Sequence, residues 1–313
     1  MRPAARTQMS KRSSRRQSSR PCNDIASPGR AVGIITPGQT IVYNRGVASK
    51  ATGQAVTGDT IFEIGSVSKT FTATLAAYAQ ISGKLSLSDK ASQYFPTLRG
   101  SRFDSVSVLN LATHTPGGLP LQVPEGITDI VQLIAYFRNW GPAYAPGTYR
   151  TYSNSGFGLL GLVTAQSMNG DFATLEQTTL SAGLGLHHTY LGVPQAQAGN
   201  YAQGYTMGLN PVRMTAGVAA AETYGIRTTA ADLLRFVAAN MRMLDLNQQR
   251  QQAITATHTG YCQVGAMTQD LVWEQYRYLV GLPDLLAGNA DKIILQANPV
   301  TALDPPLPRA TMC

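Results

Sequence analysis

Two hydrophobic rhythms alternate along the chain. Val32 to Ile35, Thr40 to Val47 and Ile61 to Ile64 are short runs rich in β-branched and aromatic residues, and they read as antiparallel strands. From Val67 the period lengthens. Large residues at Phe71, Leu75 and Tyr78 recur at i, i+4 and i+7, the spacing of an amphipathic helix. Through residue 250 the pattern remains mostly helical, broken by Gly/Pro loops, and the apolar run Phe157 to Val163 reads as a buried helix.

The junction between the two rhythms carries Gly65-Ser66-Val67-Ser68-Lys69. The pattern places Ser66 at a helix N-terminus, where unpaired N–H groups and the positive dipole end favour negative charge developing on an attacked carbonyl oxygen. Lys69 lies one turn on, on the same face. A lysine among apolar groups and beside a second cation loses its proton more readily, and it can then take the Ser66 proton. Read alone, the motif describes more simply a capping serine followed by a solvated lysine. A second cluster follows Ala145-Pro146-Gly147, where Tyr152-Ser153-Asn154 sits on the loop entering the 157–163 helix. A phenol between two ammonium groups is eased toward ionisation, which suits Tyr152 to relay protons to a leaving amine or from a water. The Asn154 amide can bond both the lysine and a substrate amide. The plain alternative is an aromatic anchor beside a capping Asn.

Phe62 to Leu75, the segment Asn110-Leu111-Ala112-Thr113-His114-Thr115-Pro116-Gly117-Gly118-Leu119-Pro120-Leu121-Gln122 and Tyr152-Ser153-Asn154 together resemble a class C (AmpC-type) serine β-lactamase. The likeness runs from about Ala31 to about Leu303 and takes in Asn200 to Tyr205, Glu222 to Ile226 and Thr268 to Glu274. The resemblance implies an α/β fold of the β-lactamase/D-alanyl-D-alanine-peptidase type, an antiparallel sheet flanked by helices beside a mostly helical domain. It implies Ser66 as the acylated nucleophile, Lys69 as its partner, Tyr152 as proton shuttle and Asn154 as a contact to the substrate's side-chain amide. Gln122 matches an amide-contacting glutamine and Tyr224 an aromatic wall of the pocket; the bland alternatives are a solvated loop residue and core packing. The substrate implied is a small-molecule β-lactam, hydrolysed through a Ser66 acyl-enzyme with no cofactor by a monomer. The rival functions are a penicillin-binding receptor without turnover, an inert fragment, and a related esterase or D-alanyl-D-alanine peptidase.

The family's third element, a Lys-Thr-Gly, has no counterpart here: after Lys90 the only lysine is Lys292, with no Thr-Gly behind it. His258-Thr259-Gly260 spells a similar triplet but precedes the Thr268 to Glu274 segment, the wrong side for that role. On this reading the final strands and C-terminal helix are missing, which would leave an unpaired sheet edge. The organisation expected is a disordered basic tail over 1–30, a β-lactamase-like region over 31–303 with its sheet part at 31–65 and its helical part at 66–303, and an aberrant tail over 304–313.

Charge changes this picture little. Residues 1 to 30 hold eight of the 25 basic side chains and one of the 17 acidic ones, so they contribute +7 of the formal +8. The basicity belongs to a tail, and no nucleic-acid partner follows from it. The tail has no apolar stretch of the signal-peptide kind and no membrane span is visible, so the chain as written is expected in the cytoplasm, whereas the resemblance implies the periplasm. Between the tails, the composition is that of a globular protein, with 43% apolar and 13% charged residues over the whole chain. Cys22, Cys262 and Cys313 imply no disulfide framework, and the four histidines show no metal-ligand spacing.

Overall fold

The computed structural model describes residues 27–265 and 267–276 and the backbone of 311–312. The chain forms two compact units. The first comprises Met1–Glu63, Val193–Thr215 and Thr228–Leu234. Its centre is an antiparallel hairpin of β1 (Gly29–Thr36) and β2 (Gln39–Gly46), in register from Gly29↔Gly46 to Thr36↔Gln39. Pro37 and Gly38 close it, and the left-handed φ of 81° at Gly38 is the conformation that favours glycine at the second turn position. Leu234 lies against Gly33, where a Cβ would stand 2.5 Å from Leu234 Cγ. The strand β3 (Ile61–Glu63) has Ile61 fully buried, and its carbonyl accepts the Ala202 N–H at 2.9 Å. All three strands fall where the hydrophobic pattern puts them.

The second unit comprises Ile64–Gly192, Ala216–Arg227 and Arg235–Cys313. A short 3₁₀ turn, Gly65–Val67, leads into helix α1 (Ser68–Ile81). Gly65 adopts φ 53° here and would meet nothing if it carried a Cβ, so the left-handed backbone alone accounts for the glycine. The helix is not amphipathic as the 71, 75, 78 spacing suggests. Every residue from Ser68 to Ala77 is buried, as is Ala79. Its Thr, Ser and Ala positions are small enough for neighbours to pack on all sides, and their hydroxyls find backbone acceptors: Thr72 Oγ1 donates to Glu222 O at 2.7 Å and Thr74 Oγ1 to Thr70 O at 2.7 Å. Phe71 stacks on Phe236 with centroids 4.1 Å apart.

Helix α2 (Val108–Ala112) and helix α3 (Asn154–Ser167) pack with α1 around a core that includes Leu111, Leu119, Phe157, Leu160 and Val163, all fully buried. Each such side chain contributes about 1.5–3 kcal/mol through burial. Ser153 caps α3, accepting the Gly156 N–H at 3.0 Å and donating to Pro120 O at 2.6 Å. Helix α4 (Ala220–Tyr224) crosses α3 at Gly158, where a Cβ would stand 2.7 Å from that of Ala219. Helix α5 (Gln248–Thr257) packs on α1 through Tyr78, whose hydroxyl donates to Gln249 at 3.1 Å.

A small antiparallel sheet ends the described chain: β4 (Cys262–Val264), β5 (Met267–Gln269) and β6 (Glu274–Tyr276), with Cys262↔Gln269 and Glu274↔Gln269 in register. Beside it, β7 (Thr311–Met312) pairs in parallel with β4, Thr311 opposite Cys262. Cys262 is disulfide-bonded, which corrects the expectation from three scattered cysteines, since spacing does not reveal which thiols the fold brings together. The basic tail before Ser27 and the stretch holding Lys292 lie outside the described residues.

Candidate active site

The Gly65–Val67 turn presents Ser66, half-buried, at the entrance to α1, and Lys69 follows on the first helical turn with its side chain fully buried. Lys69 Nζ donates to Ser66 Oγ at 3.1 Å and to the carbonyl oxygen of Thr223 at 3.1 Å. The Thr223 carbonyl is held in place by the short α4 helix, which is tied to α1 by the Ile226 N–H donating to Ser68 Oγ at 3.0 Å and by the Thr72 bond to Glu222. Sequence reasoning missed this acceptor, because a backbone oxygen leaves no signature in residue identity.

Tyr152 stands beside Lys69. Its ring centroid lies 5.0 Å from Lys69 Nζ. Asn154 is the first residue of α3 and not part of the preceding loop; its Nδ2 donates to Gln122 Oε1 at 2.9 Å and its N–H to Leu121 O at 2.8 Å, while its buried Oδ1 has no hydrogen-bond partner among the described residues. Gln122 is exposed, as the solvated-loop alternative has it, yet it belongs to the site through this bond. Tyr224 is half-buried and, with Gln122, Asn154 and Thr223, lines a cleft of about 200 Å³. All six sequence candidates, Ser66, Lys69, Gln122, Tyr152, Asn154 and Tyr224, therefore fall in one unit and in one connected set of contacts.

Two further groups stand behind Tyr152. His114 packs its ring 4.5 Å from that of Tyr152, and burial, followed by the Arg150 and Lys69 charges, holds its pKa well below the usual histidine value. Arg150 pairs with Glu274 at 2.6 Å and donates through Nε to Gln269, anchoring the Tyr152 loop to β5 and β6. Arg150 sits two residues before Tyr152 in the motif itself, and that proximity was the available signal.

The His258 triplet is built into structure. His258 Nε2 lies 2.9 Å from Asn240 Oδ1, its ring packs 4.7 Å from Trp273, and its carbonyl accepts Gln275 Nε2 at 3.0 Å. Among the described residues no group of three or more His, Cys, Asp or Glu side chains is placed to hold a metal, and no helix is long and apolar enough to cross a membrane.

The arrangement can do one kind of chemistry directly: a serine hydroxyl with an amine in hydrogen-bond reach and a phenol beside that amine is the layout of an activated acyl-transfer nucleophile. Comparison with known proteins agrees with it. The beta-lactamase family profile matches residues 17–293. A beta-lactamase of Pseudomonas fluorescens is 49% identical over 283 residues, covering 90% of this chain and 78% of that protein. The crystal structure of the D-alanine carboxypeptidase AmpC from Burkholderia cenocepacia superposes with a TM-score of 0.83 at 53% identity, covering 90% of this chain and 78% of the other. A class C beta-lactamase in complex with cefoxitin superposes with a TM-score of 0.83 at 51% identity, covering 88% and 76%.

Proposed function

The chain belongs to the beta-lactamase family, with class C enzymes among its relatives, and from that premise we propose that it opens β-lactam rings through an acyl-enzyme on Ser66. The observation that carries the reading is the 3.1 Å contact between Lys69 Nζ and Ser66 Oγ at a helix entrance. Ser66 Oγ attacks the lactam carbonyl carbon while Lys69, as the free amine, takes the hydroxyl proton. The backbone N–H at the turn into α1 stabilises the oxyanion. The C–N bond of the ring then breaks and its nitrogen takes up a proton delivered through Tyr152. Water afterwards adds to the Ser66 ester and releases the opened acid, returning the proton to Ser66. The side-chain amides of Asn154 and Gln122 receive the substrate's acylamide, and Tyr224 closes the cleft against it.

A second reading, transfer from a D-alanyl-D-alanine peptide, shares the first step and draws support from the carboxypeptidase named among the structural neighbours. The experiment measures initial rates on a penicillin and on a D-alanyl-D-alanine peptide for the native chain and for Ser66→Ala. The reading expects penicillin turnover exceeding that on the peptide and lost in Ser66→Ala; peptide release faster than penicillin opening would favour the second reading.

A further inference from the structure

His114 occupies a place where its backbone is unfavourable. Helix α2 ends in a left-handed turn: the Thr115 N–H reaches Asn110 O at 2.8 Å, the His114 N–H reaches Leu111 O at 3.4 Å, and His114 itself takes φ 59°. That pair of bonds around a left-handed residue is the helix ending in which glycine, and less often asparagine, is found. A β-carbon there costs roughly 1–2 kcal/mol, so the turn alone gives no reason for a histidine.

The side chain does. From this one residue the carbonyl accepts the Thr151 N–H at 2.8 Å and ring Nδ1 accepts the Ser153 N–H at 3.3 Å, so the backbone is held on both sides of Tyr152. Between those two bonds the imidazole lies against the Tyr152 ring at 4.5 Å, with its other contact on Phe157 of α3 at 5.2 Å. Because Nδ1 accepts, the ring must be the neutral Nε2–H form. Its surroundings enforce this, since His114 is 1% exposed and its ring faces Arg150 from the loop, so burial and then that charge disfavour an imidazolium.

We propose that His114 is a positioning residue for acyl transfer, a neutral clamp that fixes the Tyr152 phenol relative to Lys69 by binding the backbone on both sides of it. The proposal rests on the Ser66 reading for its rate consequence and on the structure alone for the clamp.

The test has two arms. In the ¹⁵N-histidine-labelled chain at pH 7, His114 Nδ1 is expected to show the shift of an unprotonated acceptor; a protonated Nδ1 would overturn the clamp. In the second arm the penicillin acylation rate is compared among the native chain, His114→Gly and His114→Asn. Glycine relieves the left-handed strain but removes the ring, and acylation is expected to slow by about 10- to 100-fold with non-covalent penicillin affinity unchanged, as for a misplaced reacting group. Asparagine tolerates the turn and offers an acceptor near Nδ1, so it should recover most of the rate. A His114→Gly rate equal to the native one overturns the proposal, as does an asparagine variant no faster than glycine. If the native chain is not acylated at all, the Ser66 reading fails while the tautomer still decides the clamp, and the same measurement decides it if the glycine variant does not fold.

Discussion

Ser66-Val67-Ser68-Lys69 and His258-Thr259-Gly260 both spell triplets or quartets of a catalytic kind, the second on the wrong side of the Thr268 to Glu274 segment, and they lie in the same structural unit. They differ in what their polar atoms bond. Lys69 reaches a serine hydroxyl and a backbone carbonyl, both neutral, beside a phenol ring and next to a cleft. His258 has its ring nitrogen on Asn240, its face on Trp273 and its carbonyl on Gln275, which in turn donates to Asp270 at 2.8 Å. The first region leaves a serine hydroxyl half-exposed at a helix entrance; the second spends its groups on holding α5 against the β4–β6 sheet. A motif has chemistry available to it only where the fold leaves a reactive atom in reach of a substrate.

The sharpest way to break this contrast is a paired substitution. Lys69→Met keeps an unbranched side chain of similar length but removes the amine. It should slow acylation by penicillin by about 10²- to 10⁴-fold, the usual range for a general base. His258→Phe should leave acylation within about threefold of native while lowering stability by roughly 1–3 kcal/mol, the cost of leaving the buried Asn240 oxygen without its partner. Acylation followed by quenched-flow mass measurement and stability by urea unfolding would read both. A large acylation loss in His258→Phe, with folding intact, would erase the distinction between the two regions.

A smaller effect sharpens the same contrast through pH. Burial raises the Asp270 pKa to about 7, against an ordinary aspartate value of about 4, so the folded state favours its protonated form. Its stabilising contribution is therefore full below about pH 4 and is lost as pH rises through 7. His258 acts in the opposite sense, because burial followed by the Arg242 charge lowers its pKa to about 4, so acidification costs stability. Subtracting a variant separates the two. The stability of the native chain relative to Asp270→Asn should be larger at pH 5 than at pH 8; a difference that does not change with pH would mean that Asp270 is not held as the acid.

The strands and the α1 entrance were legible because each depends on local pattern; Ser66, Lys69, Tyr152 and Asn154 were singled out by identity and spacing, whereas Gln122 and Tyr224 came only through the family resemblance. Gly65 is one example: a glycine between a strand run and a helix run marks the left-handed turn that presents Ser66. What was not legible depends on tertiary placement. The burial of α1 on all sides could not be read from its own spacing, since small residues fit a solvated face as well as a crowded one. The Thr223 carbonyl and the double hold of His114 on the Tyr152 loop are backbone contacts, and the Arg150–Glu274 pair joins residues far apart in the chain.

The central claim is that Ser66, and no other residue, takes the acyl group. It is tested most directly by mass spectrometry of the chain after brief incubation with penicillin, followed by peptide mapping of any adduct. The account predicts a mass increase equal to one intact penicillin, located on the peptide containing Ser66 and absent in Ser66→Ala. An adduct that persists in Ser66→Ala, or one that maps to another residue, would contradict it.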